Sequence, residues 1–328
     1  MTTIERLDPT NDEQFGEFHA TYASAMDGEW DRPYTARELR VDLQDDAGYL
    51  EQTGLLARDD AETPVGVGIV EIPLKDNLKL VYVNVHVLPQ HRRQGHGSAL
   101  LDSIVGIARE HGRTTLFAGA RWDVGQEGSA NTAFAEALGF ELDLVDAHRV
   151  LDLPATLPEA PVRDGYALHG WRGACPDEWV DQYANLLTLI VQEAPSGEYP
   201  LENEFFDAAR VRSDEATLIK QHRVMQVSVA LSPEGVIAGH TQLVFPEAEA
   251  EADPEDAYQW DTLVLPGHRG HGLGLSLKVH AMDASKELLE GRRLIHTYNA
   301  ASNGPMIAVN ELMGFRHVAN CGEYIKEI

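Results

Sequence analysis

The chain has 328 residues, 43% of them hydrophobic, a length that suits two compact domains better than one. Acidic residues outnumber basic ones 53 to 26, giving a formal charge of −27, and this balance excludes the basic face that nucleic acid or an anionic membrane requires. No run approaches the ~20 apolar residues of a membrane-spanning helix and no apolar stretch follows a basic start, so the expectation is a cytoplasmic protein. The charge would draw a cationic substrate to an acidic cleft, but solubility or a generally acidic host accounts for it equally well, and charge alone names no substrate.

The first readable elements are two strands, over 65–72 and 80–88, joined across the turn residues Lys75, Asp76 and Asn77 as a hairpin. Val81, Val83, Val85 and Val87 recur at period two in the second of them. A glycine-rich turn follows, Val-Leu-Pro-Gln-His-Arg-Arg-Gln-Gly-His-Gly over 87–97. The helical spacing of Leu100, Leu101, Ile104, Ile107 and Ala108 predicts a helix over 98–111, with Gly112 just past its end. Residues 114–118 read as a strand, 129–138 as a helix closed by Leu138-Gly139-Phe140, and 142–150 as a last strand.

Three prolines without periodicity mark 153–161 as linker, since proline removes backbone donors and disfavours helix before it. The division expected is a first module over 1–152, a linker over 153–165 and a second module over 166–328. Within the second, the acidic stretch 246–256 reads as a solvated loop and 258–265 as a strand. The turn Val-Leu-Pro-Gly-His-Arg-Gly-His-Gly-Leu-Gly over 264–274 then leads into a helix over 275–289 with Gly291 behind it. A strand over 294–298, a helix over 305–313 closed by Met313-Gly314-Phe315, and a strand over 317–325 complete the series. The two turns share the pattern V-L-P-x-H-R-x-x-G-x-G, and the closing glycines repeat at nearly the same spacing, which argues for duplication of a whole module.

Such a turn suits a pyrophosphate. A helix start carries unpaired N–H groups and partial positive charge, and glycine lets the backbone come close to an anion. Gly95 and Gly97, and Gly272 and Gly274, meet that need, while Arg92, Arg93 and Arg269 add charged donors. Neither the dinucleotide G-x-G-x-x-G arrangement nor the Walker G-x-x-x-x-G-K-[ST] pattern is present. Cys175 and Cys321 form no CxxC pair and read as reduced, buried thiols, and the 14 histidines show no metal-ligand spacing, so no metal is expected.

R-x-x-G-x-G after a V-x-P strand end, followed by helix, strand and a closing L-G-F, resembles the GNAT superfamily of N-acetyltransferases, twice over. The resemblance implies an α/β fold of two tandem modules, each a mixed, mostly antiparallel sheet flanked by helices. It implies acetyl-CoA as co-substrate and an N-acetyltransferase that moves the acetyl group directly to a small-molecule amine, in a monomer or homodimer. By position, the amides of Gln94, Gly95, His96, Gly97 and Ser98, and those after Gly270 through His271, Gly272, Leu273, Gly274 and Leu275, would hold the CoA pyrophosphate. The strand ends at Val85 and Val87, and at Leu263 and Val264, would part from the next strand to bond the pantetheine arm, which Asn303 would also touch. Asp261 stands where the family often places an acidic base. The corresponding first-half residue is Asn84, with His86 two residues further on as the other candidate. The tyrosine that the family usually places four residues before the closing glycine is replaced by Ala135 and Asn310, and the first half has Gly128 where the second has Asn303. A CoA-binding protein that has lost turnover is the alternative. Trp30, Tyr34, Tyr183, Tyr199, Phe205 and Phe206 are candidates to line an acceptor cleft, with core packing as the other reading.

Overall fold

The computed structural model describes residues 2–26, 28–162, 164–193, 195–246 and 256–328. Most of the acidic stretch read as a loop, 247–255, lies outside the described residues. In chain order the elements are β1 (Thr3–Arg6), α1 (Asp12–Ala25), α2 (Ala36–Leu43), β2 (Leu50–Arg58), β3 (Pro64–Pro73), β4 (Leu80–Val87), α3 (His96–Glu110), β5 (Thr115–Asp123), α4 (Ala130–Ala137) and β6 (Glu141–Asp152). There follow β7 (Ala167–Arg172), α5 (Val180–Glu193), α6 (Ala208–Lys220), β8 (Arg223–Leu231), β9 (Ile237–Pro246), β10 (Asp256–Val264), α7 (Leu273–Ala284), α8 (Lys286–Leu289), β11 (Leu294–Ala300), α9 (Gly304–Met313) and β12 (Arg316–Glu327).

The chain forms two compact units. The first comprises 1–145, 197–202 and 321–328, and the second 146–196 and 203–320. The chain thus leaves the first unit inside β6, ahead of the proline-rich stretch, and Leu153, Ala155 and Leu157 of that stretch pack on the core of the second unit.

In the first unit the strands run β1-β2-β3-β4-β5, then the 321–327 part of β12 and the 141–145 part of β6. The pairs β1/β2, β2/β3 and β3/β4 are antiparallel and β4/β5 is parallel. Local chemistry starts the helices. Asn11 caps α1 by accepting from the Glu13 and Gln14 amides, and Thr35 and Glu38 form a reciprocal capping box at α2. One sheet face packs Phe15, Phe18 and Tyr22 of α1 and Leu39 of α2. The other packs Leu100, Leu101, Ile104 and Ile107 of α3 with Ala135 of α4 and Tyr324.

The second unit repeats the arrangement: the 316–320 part of β12, the 146–152 part of β6, then β11-β10-β9-β8-β7. Its β10/β11 pair is parallel and β6/β11, β9/β10, β8/β9 and β7/β8 are antiparallel. Tyr183 and Leu187 of α5 and Val211 and Leu218 of α6 fill one face, and Ala281 and Met282 of α7 with Met313 of α9 the other. Each unit is therefore a mixed, mostly antiparallel sheet flanked by helices, as the family resemblance implies.

Candidate active site

Both units contain an opening between their two parallel strands. The β4/β5 pairing runs from Leu80↔Thr115 to Val83↔Ala118 and stops, although β4 continues to Val87 and β5 to Asp123. Likewise β10/β11 pairing ends at Tyr258↔His296, while β10 runs on to Val264 and β11 to Ala300. Val85 and Val87, and Leu263 and Val264, lie on these unpaired lengths, so one backbone edge of each strand end has no neighbouring strand.

A glycine turn stands at the wide end of each opening. Arg93 and Gly95 have φ of 63° and 90°, and Gly270 and Gly272 have 87° and 75°. Two left-handed residues at the same two places bend both turns alike, into the N-termini of α3 and α7. The amides of Gln94, Gly95, His96, Gly97 and Ser98 donate to no acceptor among the described residues, nor do those of His271, Gly272, Leu273, Gly274 and Leu275. Intrahelical bonding resumes at Ala99 and Ser276. The residues present therefore fit a bound pyrophosphate.

Arg92 and Arg269 have a further role. Arg92 Nε donates to the Val87 carbonyl at 3.0 Å and an Nη to Ala25 O at 3.1 Å. Arg269 Nε donates to the Val264 carbonyl at 3.0 Å, and an Nη pairs with Glu193 at 2.6 Å. Each guanidinium ties its turn to the strand end before it. Arg93 is exposed. His96 is buried and bonds Thr2 Oγ1 at 2.8 Å, while His271 bonds Asp164 at 2.7 Å. Leu273 is core, packed with Ala230, Ala238 and Leu277, and Leu275 is partly buried against the separate cluster of Ala281 and Met282. Asn303 Oδ1 caps α9 by accepting from the Met306 amide at 3.3 Å.

On the α5/α6 face of the second opening, Asp261 sits at a bulge where β10 gains a residue on β9 between Gln259 and Thr262. Its side chain reaches solvent, yet protein closes around it enough that desolvation, with the Glu204 carboxylate behind it, raises its pKa. Trp260 and Tyr298, 40% and 39% exposed, stand on the unpaired lengths of the same two strands. Of the other aromatic candidates, Tyr183 is core and donates no cleft surface, whereas Phe205 is 64% exposed.

The first opening lacks the bulge. Glu71 pairs in register with Tyr82, and Asn84 Nδ2 donates to its carboxylate at 3.3 Å. Burial, with Asp42 as the lesser cause, pushes the Glu71 carboxyl up to about 7. Strand alternation puts Tyr82, Asn84 and His86 on one face with Glu71, so this opening has a carboxyl of its own that sequence spacing missed. His86 meets Tyr22 edge-on at 5.4 Å, and burial lowers its pKa to about 4. Cys175 is buried as expected, with its thiol pushed up to about 12 by burial, whereas Cys321 is only half-buried, a correction to the expectation for that residue; neither is in a disulfide.

The model of the Acetyltransferase (GNAT) family matches residues 17–140 and 188–315, and each stretch holds one turn, one opening and one closing glycine. The chain belongs to the acetyltransferase (GNAT) family. It is a tandem GNAT protein. It is 26% identical over 290 residues to the mycothiol acetyltransferase of Acidothermus cellulolyticus, spanning 80% of this chain and 76% of that one. Its fold is similar to a tandem GNAT protein from the clavulanic acid biosynthesis pathway, solved without AcCoA, at TM-score 0.82 and 25% identity, covering 100% and 98% of the two chains. A GCN5-related N-acetyltransferase from Sphaerobacter thermophilus shares the fold at TM-score 0.69 and 16% identity, covering 99% and 95%. Among the described residues no helix is long and apolar enough to cross a membrane.

Proposed function

We propose that this tandem GNAT protein transfers an acetyl group from acetyl-CoA to a primary amine of a small molecule, in the cytoplasm, with the second unit carrying the chemistry. The observation that carries this reading is the pairing, in each unit, of five unengaged amides at a helix start with a strand edge that opens beside them. Amides of 94–98 and 271–275 would hold the pyrophosphate, and the free edges of β4 and β10 would bond the pantetheine arm. Acetyl-CoA supplies an activated acyl group on a thiolate leaving group, whose parent thiol has a pKa of about 8.5.

Asp261 is the base we assign. An alkylammonium titrates near about 10.4, so its proton must be taken before nitrogen can attack. A carboxylate with a raised pKa, open to solvent on one side, suits that task. A strand-end amide of β10 would stabilise the charge that grows on the carbonyl oxygen. The acceptor we infer is cationic and free in solution, with neither nucleic acid nor membrane involved. Asp261 supplies negative charge, Trp260 and Tyr298 supply ring faces, and the chain's −27 favours approach.

Mixing the protein with acetyl-CoA and a panel of di- and polyamines, and following free thiol, tests the reading. Thiol release is expected with at least one amine, falling about 100-fold in Asp261→Asn. Gly272→Glu, which places a charge and a side chain among the turn amides, should weaken CoA binding to the second unit at least about tenfold. Tight CoA binding with no turnover for any amine would support the rival reading, for which Ala135 and Asn310 in place of tyrosine speak.

A further inference from the structure

The second unit buries a lysine that the reading above does not use. Lys278, on α7, is 1% exposed, and its Nζ donates to Asn310 Oδ1 of α9 at 2.9 Å. Asn310 is fully buried, and its Nδ2 donates to Asn299 Oδ1 of β11 at 2.6 Å. No carboxylate among the described residues pairs with Lys278; the ring of Phe315 lies 5.6 Å from Nζ. Asn299 is half-buried on the length of β11 that has parted from β10, three residues beyond the last paired position.

The same three places in the first unit are apolar. Gly95 and Gly272 correspond, so Lys278 matches Leu101. Gly139 and Gly314 correspond, so Asn310 matches Ala135. Leu80↔Thr115 and Asp256↔Leu294 open the two parallel pairings, so Asn299 matches Ala120. Leu101, Ala135 and Ala120 are all buried members of one apolar cluster. The two copies of the module differ together at these three positions: Leu101, Ala135 and Ala120 in the first, Lys278, Asn310 and Asn299 in the second.

The chain of bonds has a forced direction. Protonated, Lys278 has donors only, so Asn310 turns its oxygen to Lys278 and its nitrogen to Asn299. Asn299 must then accept with its oxygen. Its own Nδ2 is left over, is not buried, and has no partner among the described residues. Burial, with no carboxylate to offset it, lowers the Lys278 pKa to about 7, so the chain of bonds carries its positive charge below that value. There the charge polarises each bond along the chain and strengthens the outermost donor.

We propose that Lys278 is a positioning residue that, through Asn310, fixes and polarises Asn299 so that its Nδ2 donates into the opening and stabilises the negative charge on the CoA sulfur. The proposal rests on the acetyl-transfer reading of the second unit. In that reaction the amine nitrogen bonds the acetyl carbon, the carbon–sulfur bond breaks with its electron pair going to sulfur, and the amine proton passes to Asp261. Asn299 bonds the thiolate that results. The first unit, with Leu101, Ala135 and Ala120, offers no such donor, which assigns the chemistry to the second.

The test needs no acceptor amine. In full-length protein carrying Gly95→Glu, so that the second unit is the one loaded, the thiol of bound CoA is titrated by its thiolate absorbance. The expected thiol pKa lies about one unit below that of free CoA, a tenfold stabilisation of the thiolate. Lys278→Met, and separately Asn310→Asp, which still accepts from Lys278 but cannot donate to Asn299, should each abolish that shift while still binding CoA. In turnover, Lys278→Met should lower kcat about tenfold and leave KM for acetyl-CoA within a factor of two. An unshifted thiol in the parent protein, or an unchanged shift in both variants, overturns the proposal. If the parent protein turns over amines and only these shifts fail to appear, the transferase reading stands and the Lys278 role alone falls. If the protein binds no CoA, both fall.

Discussion

Glu71 and Asp261 occupy related places at the two openings, and their chemistry differs through their surroundings. Asp261 was legible in the sequence because it sits three residues before a recognisable Val-Leu-Pro turn. Glu71 was not, because only the β3/β4 register brings it against Tyr82 and Asn84. A period-two pattern shows that a strand exists and says nothing of which residue its neighbour presents. Glu71 has a pH signature of its own. Its folded-state pKa of about 7 lies above the ordinary 4.5, so between those values the folded chain keeps a proton that the unfolded chain has released. Stability contributed at this residue is greatest below the lower value and declines as pH rises toward about 7. Glu71→Gln should remove that downward slope in chemical unfolding curves measured across the same window. It should also leave amine acetylation within about twofold, since the chemistry is assigned to Asp261; a loss as large as that of Asp261→Asn would move the catalytic unit to the first half.

The glycine turns were the most legible elements, since few residue types other than glycine fit a left-handed position that a backbone-bound anion must approach closely. What the pattern hid was the bracing by Arg92 and Arg269, whose Nε groups are engaged by the preceding strand carbonyls. It also hid an asymmetry between two glycines in matching places. A Cβ on Gly97 would lie 2.7 Å from the Phe134 ring, whereas one on Gly274 would meet Val309 at 3.8 Å, an ordinary contact. Both sit in the first turn of a helix, where alanine is intrinsically favoured over glycine. Gly274→Ala should therefore be neutral or slightly stabilising, and Gly97→Ala destabilising by about 1 kcal/mol or more through overpacking. Adding Phe134→Ala should relieve the penalty of Gly97→Ala, so that the two changes are non-additive in a thermal-unfolding cycle. Strict additivity would show that the ring is not what holds position 97 at glycine.

At the scale of the molecule, the final strand was predicted, but not the unit it completes. The pattern over 317–325 announces a strand, and nothing in it shows that residues 321–328 belong with the first 145. Those last residues are built into that unit. Ile328 donates its amide to Thr114 O at 2.9 Å, the Lys326 ammonium bonds the Leu138 carbonyl, and Tyr324, 2% exposed, packs in the cluster with Leu116, Ala135 and Phe140. Losing an aromatic side chain from such a core costs about 3–5 kcal/mol, a large part of the stability of a domain this size. Deleting 321–328 would in addition leave one edge of β5 unpaired. The second unit keeps 316–320 and all of β7 to β11, so it should be little affected. Amide hydrogen exchange on the deletion variant should thus show protection lost across α3 and β5 and retained across β8, β9 and β10. Retained protection in α3 and β5 would mean that the first unit does not depend on the end of the chain, and loss throughout would mean that the two units do not unfold separately.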